Sequence, residues 1–374
     1  MRSTYDAIIV GAGIVGATCA MECAHAGMIV AIIEGDVIGG GATAAGMGHI
    51  VVMDDSPAQL ALTRYSQQLW RELSPQLPPD VEYKETGTIW IAADSSEMSE
   101  IFRKHALYEA NDLSVQVLDQ PSLRDAEPNL CPDLAGGLLV PFDAVLYPPC
   151  AARYFLLEAA KAGAIIVERR AVTMGRGRVM LNDGTTLASP CVVNAAGTMA
   201  TDLTPGLNIR KRKGHLIITD RAPEFVHHQL VEVGYLRSAG SSSGDSVAFN
   251  VQPRKTGQIL IGSSRQYDAK EKQIDFPVLL EMMQRVQQYL PGVKELPVIR
   301  AWTGFRAATP DKLPLIGPHP DDSTLLLATG HEGLGITTSL ATAKLLVHHL
   351  TGSAAAISPE PYLPSRMLLE SQHV

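Results

Sequence analysis

The chain has 374 residues, of which 46% are hydrophobic and 19% charged, and its formal net charge is −8. This composition is typical of a globular protein with a large core, and the acidic charge argues against nucleic acid as a partner. Five cysteines without a secretory leader predict reduced thiols in the cytoplasm, and their spacing predicts no metal site. The chain has no run of eighteen apolar residues, so no transmembrane helix is expected.

The first predicted unit is a strand, a helix and a second strand, at 5–10, 14–26 and 28–33. A GxGxxG motif joins the first strand to the helix, and an acid ends the second strand. In a dinucleotide site the three glycines permit the turn, the approach of a pyrophosphate and close helix packing, while the acid binds the ribose. The order therefore predicts dinucleotide binding by Gly11, Gly13, Gly16 and Glu34.

A second small-residue segment, 39–49, follows the acid. A second phosphate or a ring system approached by the backbone would explain it, and a flexible loop is the alternative. A simple NAD dehydrogenase has no need of such a segment at this position, so the segment favours FAD.

The middle of the chain mixes helical and strand patterns. Helices are predicted at 58–75, 96–112, 150–162 and 277–290, and strands or hairpins at 85–92, 164–172, 177–187, 190–197, 213–220 and 250–264. Strand-rich segments interrupt the βαβ frame, which predicts an α/β fold: a Rossmann-like FAD-binding domain with an inserted, mostly antiparallel α+β substrate domain. The expected division is 1–78, 145–210 and 300–374 for the first domain, and 79–144 and 211–299 for the second.

Two C-terminal segments carry further chemistry. Residues 302–318 are predicted to form a glycine- and proline-bounded loop with one buried cation, Arg306. A strand at 324–329, a glycine-rich turn at 330–335 and a helix follow, and the N-terminus of that helix can face an electron-rich group such as the pyrimidine edge of a flavin. The basic stretch 210–213 is read as a solvated loop, with a partner surface as the alternative.

Together, GAGIVG with Glu34, NAAG, GFRAATPDKLPLIG and ATGHEGLGITT resemble the FAD-dependent D-amino-acid oxidase superfamily. The likeness is greatest to its glycine oxidase, sarcosine oxidase and D-amino-acid dehydrogenase branch. The stretch GMGHIVVMDDSPAQLALTRYSQ is similar to the FAD-containing subunits of bacterial D-hydroxyproline dehydrogenases and opine oxidases. The resemblance implies noncovalent FAD, because no cysteine follows Cys191 to tether it, and it leaves open an FMN at a subunit interface.

The resemblance also implies a set of cofactor-binding residues. They are the motif residues with their neighbours, the small-residue segment, the NAAG strand end and the C-terminal turn: Gly11, Gly13, Ile14, Val15, Gly16, Glu34, Gly35, Thr43, Ala44, Gly46, Met47, Val172, Ala195, Ala196, Gly197, Gly304, Arg306, Gly330, Gly333, Leu334, Gly335, Ile336 and Thr337.

For the substrate, Arg306 matches the arginine that binds the carboxylate, a task suited to a guanidinium fork. The alternative is a structural ion pair. His49 and His331 are candidate polar partners of the substrate, and Asn250 falls where glycine oxidases have a tyrosine. The expected reaction is hydride transfer from the substrate Cα to flavin N5, driven mainly by orientation.

The predicted enzyme dehydrogenates a D-amino acid or a secondary amino acid, with cis-4-hydroxy-D-proline or D-proline as the first choice. Its expected partners are other dehydrogenase subunits that carry a flavin or an iron–sulfur centre, which leaves open a position at the inner face of the membrane. Three alternatives remain: a glycine or sarcosine oxidase that makes peroxide, a non-catalytic flavin-binding assembly protein, and an NAD-binding regulator. Arg306 and the GHEGLG turn argue against the assembly protein, and the same turn with the segment 39–49 argues against the NAD-binding regulator.

Overall fold

A parallel sheet forms one half of the molecule, in a computed structural model that describes residues 4–234, 245–267 and 269–367. Its apolar strands are buried on both faces, as their continuous hydrophobic runs require. Five strands are parallel and the edge strand β19 is antiparallel. The order across the sheet is β19 (Leu315–His319), β20 (Asp322–Thr329), β13 (Val192–Asn194), β1 (Ala7–Val10), β2 (Val30–Glu34) and β9 (Ile165–Glu168).

Helices cover this sheet. The first helix, α1, packs between the sixth helix and the C-terminal helix. The third helix also packs on the C-terminal helix. Their small apolar residues allow close packing, and the buried Trp70 and Phe155 fill the space around them. In the described part of the chain the helices are α1 (Ile14–His25), α2 (Ala42–Ala45), α3 (Pro57–Leu73), α4 (Ser95–Glu109), α5 (Gln120–Ala126), α6 (Pro148–Lys161), α7 (Ala200–Leu203), α8 (Phe276–Tyr289) and α9 (Gly335–Thr351).

The second half is built on an eight-stranded sheet whose pairs are antiparallel except for one. Its apolar face packs on α8 through residues such as Phe249 and Tyr289, which stack at 4.4 Å between ring centroids. The order is β18 (Val298–Ala308), β14 (Arg210–Arg221), β17 (Gln258–Arg265), β16 (Ser246–Pro253), β15 (Gln229–Glu232), β5 (Thr88–Ala92), β7 (Gly136–Val140) and β6 (Gln116–Asp119).

Two small sheets complete the fold. One joins β3 (His49–Ile50), β8 (Ala144–Val145) and β4 (Lys84–Glu85), and the other joins β10 (Ala171–Gly175), β11 (Arg178–Leu181) and β12 (Thr186–Ala188). The predicted fold class is confirmed: a parallel α/β unit accompanies a mostly antiparallel α+β unit. Among the residues described, no helix combines the length and apolar character needed to cross a membrane.

Two predicted elements were wrong. Residues 302–318 are not a loop, since β18 takes up their first part and pairs along its length with β14. The glycines and prolines suggested a loop, but the partner strand supplies the backbone hydrogen bonds that stabilise the segment. Residues 164–172 are not one strand, because Arg169 and Arg170 separate β9 from β10, which lie in different sheets.

The basic stretch 210–213 is not a solvated loop either. It begins β14, and Arg212 and Lys213 are buried, at 5% and 6% exposure. Arg212 forms an ion pair with Glu332, a residue far away in sequence, so the stretch gave no sign of its partner. The division of the chain into two domains stays a prediction, with β18 running across its boundary at 300.

Candidate active site

A cavity of 660 Å³ lies between the two main sheets. The carboxyl ends of four parallel strands open into it, as expected for a ligand site in an open α/β sheet, and they contribute Gly11, Glu34, Ala195 and Gly330. One face of the eight-stranded sheet forms the opposite wall. Both halves of the molecule therefore build one site.

The glycine motif fits its predicted tasks. Gly11 has φ +105°, and a Cβ there would lie 2.6 Å from the Ala195 carbonyl oxygen. A Cβ on Gly16 would lie 1.9 Å from the Gly11 carbonyl oxygen, so this glycine allows α1 to pack on the turn. Gly13 lines the cavity instead, and its missing side chain leaves room beside the Thr43 hydroxyl.

Side chains fix the loops around this turn. The Glu34 carboxylate accepts hydrogen bonds from the Ala12 N–H at 2.8 Å and the Asp36 N–H at 3.0 Å. Each of its oxygens can accept one more bond, so the carboxylate is able to bind a ribose as well. The Thr43 hydroxyl accepts from the Ile14 N–H at 3.0 Å, which ties the small-residue segment to the start of α1.

The C-terminal turn presents a second helix N-terminus to the same cavity. Gly333, Leu334, Gly335 and Ile336 all line it, and α9 begins at Gly335. The first N–H groups of a helix lack intrahelical acceptors and carry partial positive charge. Two helix N-termini and a side-chain-free cradle therefore face one cavity, an arrangement that fits the pyrophosphate and the electron-rich ring of a flavin dinucleotide.

Arg306 extends from β18 across the floor of the cavity. Its guanidinium covers Gly214 on the next strand so closely that a Cβ on Gly214 would lie 2.5 Å from the arginine Nη1. The same nitrogen donates to the Ser264 carbonyl at 3.0 Å. A glycine and a backbone carbonyl thus hold the cation in place beside the turn that contains Gly333.

A carboxylate lies within this cationic region. Glu332 has φ +53°, pairs with Arg212, and accepts from the Gly333 N–H at 2.6 Å. Burial by itself would raise the pKa of Glu332, but the charges of Arg212, Arg306 and Arg265 outweigh it and lower the pKa. The carboxylate is therefore ionised. The three arginines carry more positive charge than this one carboxylate neutralises, so the group of four side chains has a net positive charge.

The two candidate histidines are neutral at pH 7. Burial, followed by the charge of Arg306, lowers the pKa of His49 to about 4. Burial lowers the pKa of His331 to about 3, and its Nε2 lies 3.0 Å from the Thr342 hydroxyl. Both line the cavity, as does the buried Asn250. Neither histidine adds a positive charge to the site.

The structure brings together most of the predicted residues, although their roles stay predictions. Those that line the cavity are Gly11, Gly13, Ile14, Val15, Glu34, Thr43, Gly46, Met47, His49, Ala195, Ala196, Gly197, Asn250, Gly304, Arg306, Gly330, His331, Gly333, Leu334, Gly335 and Ile336.

Five others lie outside the cavity wall: Gly16, Gly35, Ala44, Val172 and Thr337. Gly35 packs on the Arg170 backbone, Ala44 is exposed, and the Thr337 hydroxyl donates to the His49 carbonyl at 3.0 Å. Val172 is 46% exposed on β10, which gives its side chain no contact with the cavity. The resemblance implies that the backbone of Val172 contacts the adenine of the cofactor, and this role stays a prediction.

Sequence reasoning missed several residues on the cavity wall: Trp90, Arg212, Gln229, Arg265 and Glu332. Glu332 lies within the glycine-rich turn at 330–335, so its place on the cavity wall could have been predicted from the sequence. Gln229 and Trp90 come from strands that become neighbours only in the folded sheet, and no local pattern marks them.

Residues 6–349 match the FAD dependent oxidoreductase family. The chain is 26% identical to glycine oxidase of Geobacillus kaustophilus (98% of each chain covered) and 24% identical to an opine oxidase subunit of Rhizobium meliloti (90% of this chain, 91% of the relative). In fold it is similar to the crystal structure of L-proline dehydrogenase from P. horikoshii, with a TM-score of 0.89, 21% identity and 99% of each chain covered. The chain thus belongs to the FAD dependent oxidoreductase family, and its cofactor is FAD.

Proposed function

We propose that this protein dehydrogenates a D-amino acid or a secondary amino acid, with cis-4-hydroxy-D-proline and D-proline as preferred substrates. We further propose that it works as one subunit of a multi-subunit dehydrogenase. The observation that carries the proposal is the position of Arg306, which shares one cavity with the dinucleotide cradle and the N-terminus of α9.

Arg306 suits the binding of a carboxylate. A guanidinium has five N–H donors in a planar fork, and a carboxylate takes two parallel hydrogen bonds from such a fork. The bond from Nη1 to the Ser264 carbonyl fixes the orientation of this fork. The net positive charge of Arg212, Arg265 and Arg306, after Glu332 neutralises part of it, also favours an anionic group here. Bound in this way, an amino acid would have its Cα fixed relative to the cavity, and orientation of this kind supplies a large part of the rate.

The other groups keep the site suited to a neutral amine. Bound FAD supplies the two-electron acceptor. Neutral His49 and His331 can accept hydrogen bonds from an amine N–H without adding positive charge to the site, and Asn250 offers an amide in place of a bulky aromatic ring. The smaller Asn250 side chain leaves more room for a ring than a tyrosine would.

The proposed assembly with other chains has support from the relatives. The opine oxidase chain of Rhizobium meliloti is, by its name, one part of a larger enzyme, and it matches this chain over nine-tenths of its length. The described residues contain no cluster of three or more metal-ligating side chains, so an iron–sulfur centre would have to belong to a partner.

The test is an anaerobic titration of the purified chain, followed through the visible absorbance of its flavin. We expect cis-4-hydroxy-D-proline or D-proline to bleach it, and air to restore the colour slowly while a dye acceptor restores it fast. Bleaching by neither amino acid, under conditions where dithionite bleaches the protein, would contradict the proposed substrate class.

A stand-alone oxidase is the second candidate, because the Geobacillus glycine oxidase matches 98% of the chain. It makes the opposite prediction in the same titration. Glycine or sarcosine would bleach the flavin, and air would restore the colour at once with stoichiometric peroxide.

A further inference from the structure

His215 lies behind the floor of the cavity, on the face of β14 that points away from it. Neighbouring residues of a strand point to opposite faces of a sheet. Gly214 lies beneath the Arg306 guanidinium on the cavity face, so the next residue, His215, points toward α8. The His215 side chain is fully buried and does not line the cavity. The chemistry proposed above makes no use of this histidine.

The pairing of β14 with β17 is irregular beside His215. The two strands pair at Lys213 with Gln266 and again at Ile217 with Ile261. Between these two pairs β14 has three residues and β17 has four, so β17 contains one extra residue. An extra residue of this kind is a β-bulge, and bulges beside active sites change the direction in which a group points. Ser264 lies within this bulge.

A contact with the start of α8 decides which ring nitrogen of His215 carries the hydrogen. The Asp275 N–H donates to the His215 Nε2 at 3.0 Å. A backbone N–H only donates, so Nε2 is the acceptor and Nδ1 carries the hydrogen of the neutral ring. Burial, followed by the charge of Lys213, lowers the pKa of His215 to about 4, which keeps the ring neutral at pH 7. His215 therefore has a donor at Nδ1.

This donor and the backbone of His215 together fix the Ser264 hydroxyl. The hydroxyl accepts from the His215 backbone N–H at 2.9 Å, and the His215 Nδ1 lies 3.0 Å from the same oxygen. A hydroxyl has two acceptor lone pairs, so the two donors occupy both. Ser264 is also completely buried, and no solvent competes for these bonds. The position of Ser264 is therefore set by His215.

The backbone of Ser264 connects this arrangement to the cavity. Its carbonyl accepts from the Arg306 Nη1 at 3.0 Å. Ordering a long side chain such as arginine costs conformational entropy. A carbonyl that is already in place removes part of this cost before a substrate binds, and a preorganised group binds more tightly. The contacts thus lead from α8 through His215 and Ser264 to Arg306.

We propose that His215 is a positioning residue: it fixes Ser264, whose carbonyl directs the Arg306 guanidinium toward the substrate carboxylate. The role rests on the proposed function, in which Arg306 binds that carboxylate. It assigns a part in substrate binding to a side chain that lies outside the cavity wall. Any effect of His215 on the substrate must then pass through Arg306.

Three substitutions test the contacts one at a time, through KM and kcat for D-proline or cis-4-hydroxy-D-proline with a dye acceptor. His215→Gln keeps an acceptor for the Asp275 N–H but loses the donor at Nδ1, and Ser264→Ala removes the hydroxyl. Each should raise KM about tenfold and change kcat less than threefold, because the carboxylate is bound in both the ground state and the transition state. His215→Asn should keep KM within threefold of the native value, because its amide can donate from the position of Nδ1.

A second comparison repeats His215→Gln in a chain that already carries Arg306→Ala. Substitutions within one network are not additive. The double variant should have a KM within twofold of that of Arg306→Ala alone, because no guanidinium is left to position. A tenfold rise in KM in both backgrounds would refute the positioning role, since His215 would then act on the site without Arg306.

Thr219→Val is the matched control. The Thr219 hydroxyl also accepts a backbone N–H across the β14–β17 pair, from Ile259 at 3.1 Å, but Thr219 lies near the other end of β14 and does not line the cavity. Its substitution should lower the melting temperature and leave KM unchanged. FAD content and melting temperature identify a variant that fails to fold, and if His215→Gln fails, Ser264→Ala decides the question.

The outcomes separate the two proposals. If Arg306→Ala raises KM while His215→Gln and Ser264→Ala do not, the positioning role is refuted and the proposed function survives. If neither amino acid reduces the flavin, or if Arg306→Ala leaves KM unchanged, the proposed function fails and the positioning role fails with it.

Discussion

Among single residues, Arg306 has the most specific expected role. Replacing it with alanine removes up to two charge-assisted hydrogen bonds to a carboxylate, which should raise KM by roughly a hundredfold. Although the resemblance also counts Arg306 among the cofactor-binding residues, FAD content should be unchanged, since the glycine turn, Glu34 and the N-terminus of α9 supply the dinucleotide cradle. Steady-state kinetics with D-proline, together with the flavin absorbance per chain, measure both effects.

Arg300→Ala provides the control for this substitution. Arg300 lies on the same strand, is exposed, and does not line the cavity, so the change should leave KM unaltered. A KM for Arg306→Ala within threefold of the native value would rule out the carboxylate role and leave the structural ion pair as the explanation.

Asp143 is a second residue with a specific expectation. It is fully buried, and its Oδ1 accepts from the Val52 N–H and the Gln67 Nε2. Burial raises the pKa of Asp143 to about 7, although these hydrogen bonds oppose the shift. In the unfolded chain the carboxyl ionises near pH 4, so from there to about pH 7 the unfolded state binds fewer protons, and this carboxyl destabilises the fold as pH rises.

Asp143→Asn should therefore remove the loss of stability that the native protein shows as pH rises. The difference in unfolding free energy, variant minus native, should increase by up to about 4 kcal/mol between pH 4 and 7 and stay constant above pH 8. Urea unfolding across this pH range measures it, with exposed Asp125→Asn as the control. Parallel stability curves for native protein and Asp143→Asn would show that the carboxyl does not titrate in this window.

At the level of secondary-structure elements, the contact between α2 and β18 positions the small-residue segment over the cavity. A Cβ on Gly304 would lie 2.3 Å from the Ala45 Cβ. Gly304→Ala should therefore push α2 away from β18 and lower the FAD content of the purified protein by at least half. The double substitution with Ala45→Gly should restore it, because the clash is between these two atoms alone.

Normal FAD content in Gly304→Ala would mean that the strand and the helix separate without disturbing the cradle. Failure of the double variant to regain FAD would instead point to the strand conformation at Gly304, and not to contact with Ala45.

For the molecule as a whole, the cavity is shared by both main sheets, so a ligand that fills it should stabilise the fold as a unit. FAD at a hundred times its dissociation constant should add about 2.7 kcal/mol to the stability of the apoprotein. Thermal unfolding with FAD or FMN at equal concentrations measures this. FAD should raise the melting temperature more, because FMN lacks the adenosine ribose that Glu34 is placed to bind. Equal shifts would contradict that role for Glu34.

Much of this protein could be predicted from sequence because its chemistry is encoded locally. The motif from Gly11 to Glu34 specifies a strand, a turn, a helix N-terminus and an acid within about 25 residues. The turn at Gly330–Gly335 does the same at the other end of the chain. In both, backbone conformation and helix polarity act over a few residues, so the spacing alone predicts the geometry.

The substrate wall could not be predicted in this way, because it depends on strand pairing. The neighbours of Arg306, which are Gly214 and Ser264, come from other strands, and the Arg212–Glu332 pair joins residues more than a hundred positions apart. Trp90 and Gln229 become diagonal neighbours only through the register of β5 and β15. Local patterns were thus enough to predict the fold class and the two turns that line the cavity, whereas the wall around Arg306 arises from long-range pairing that no local pattern encodes.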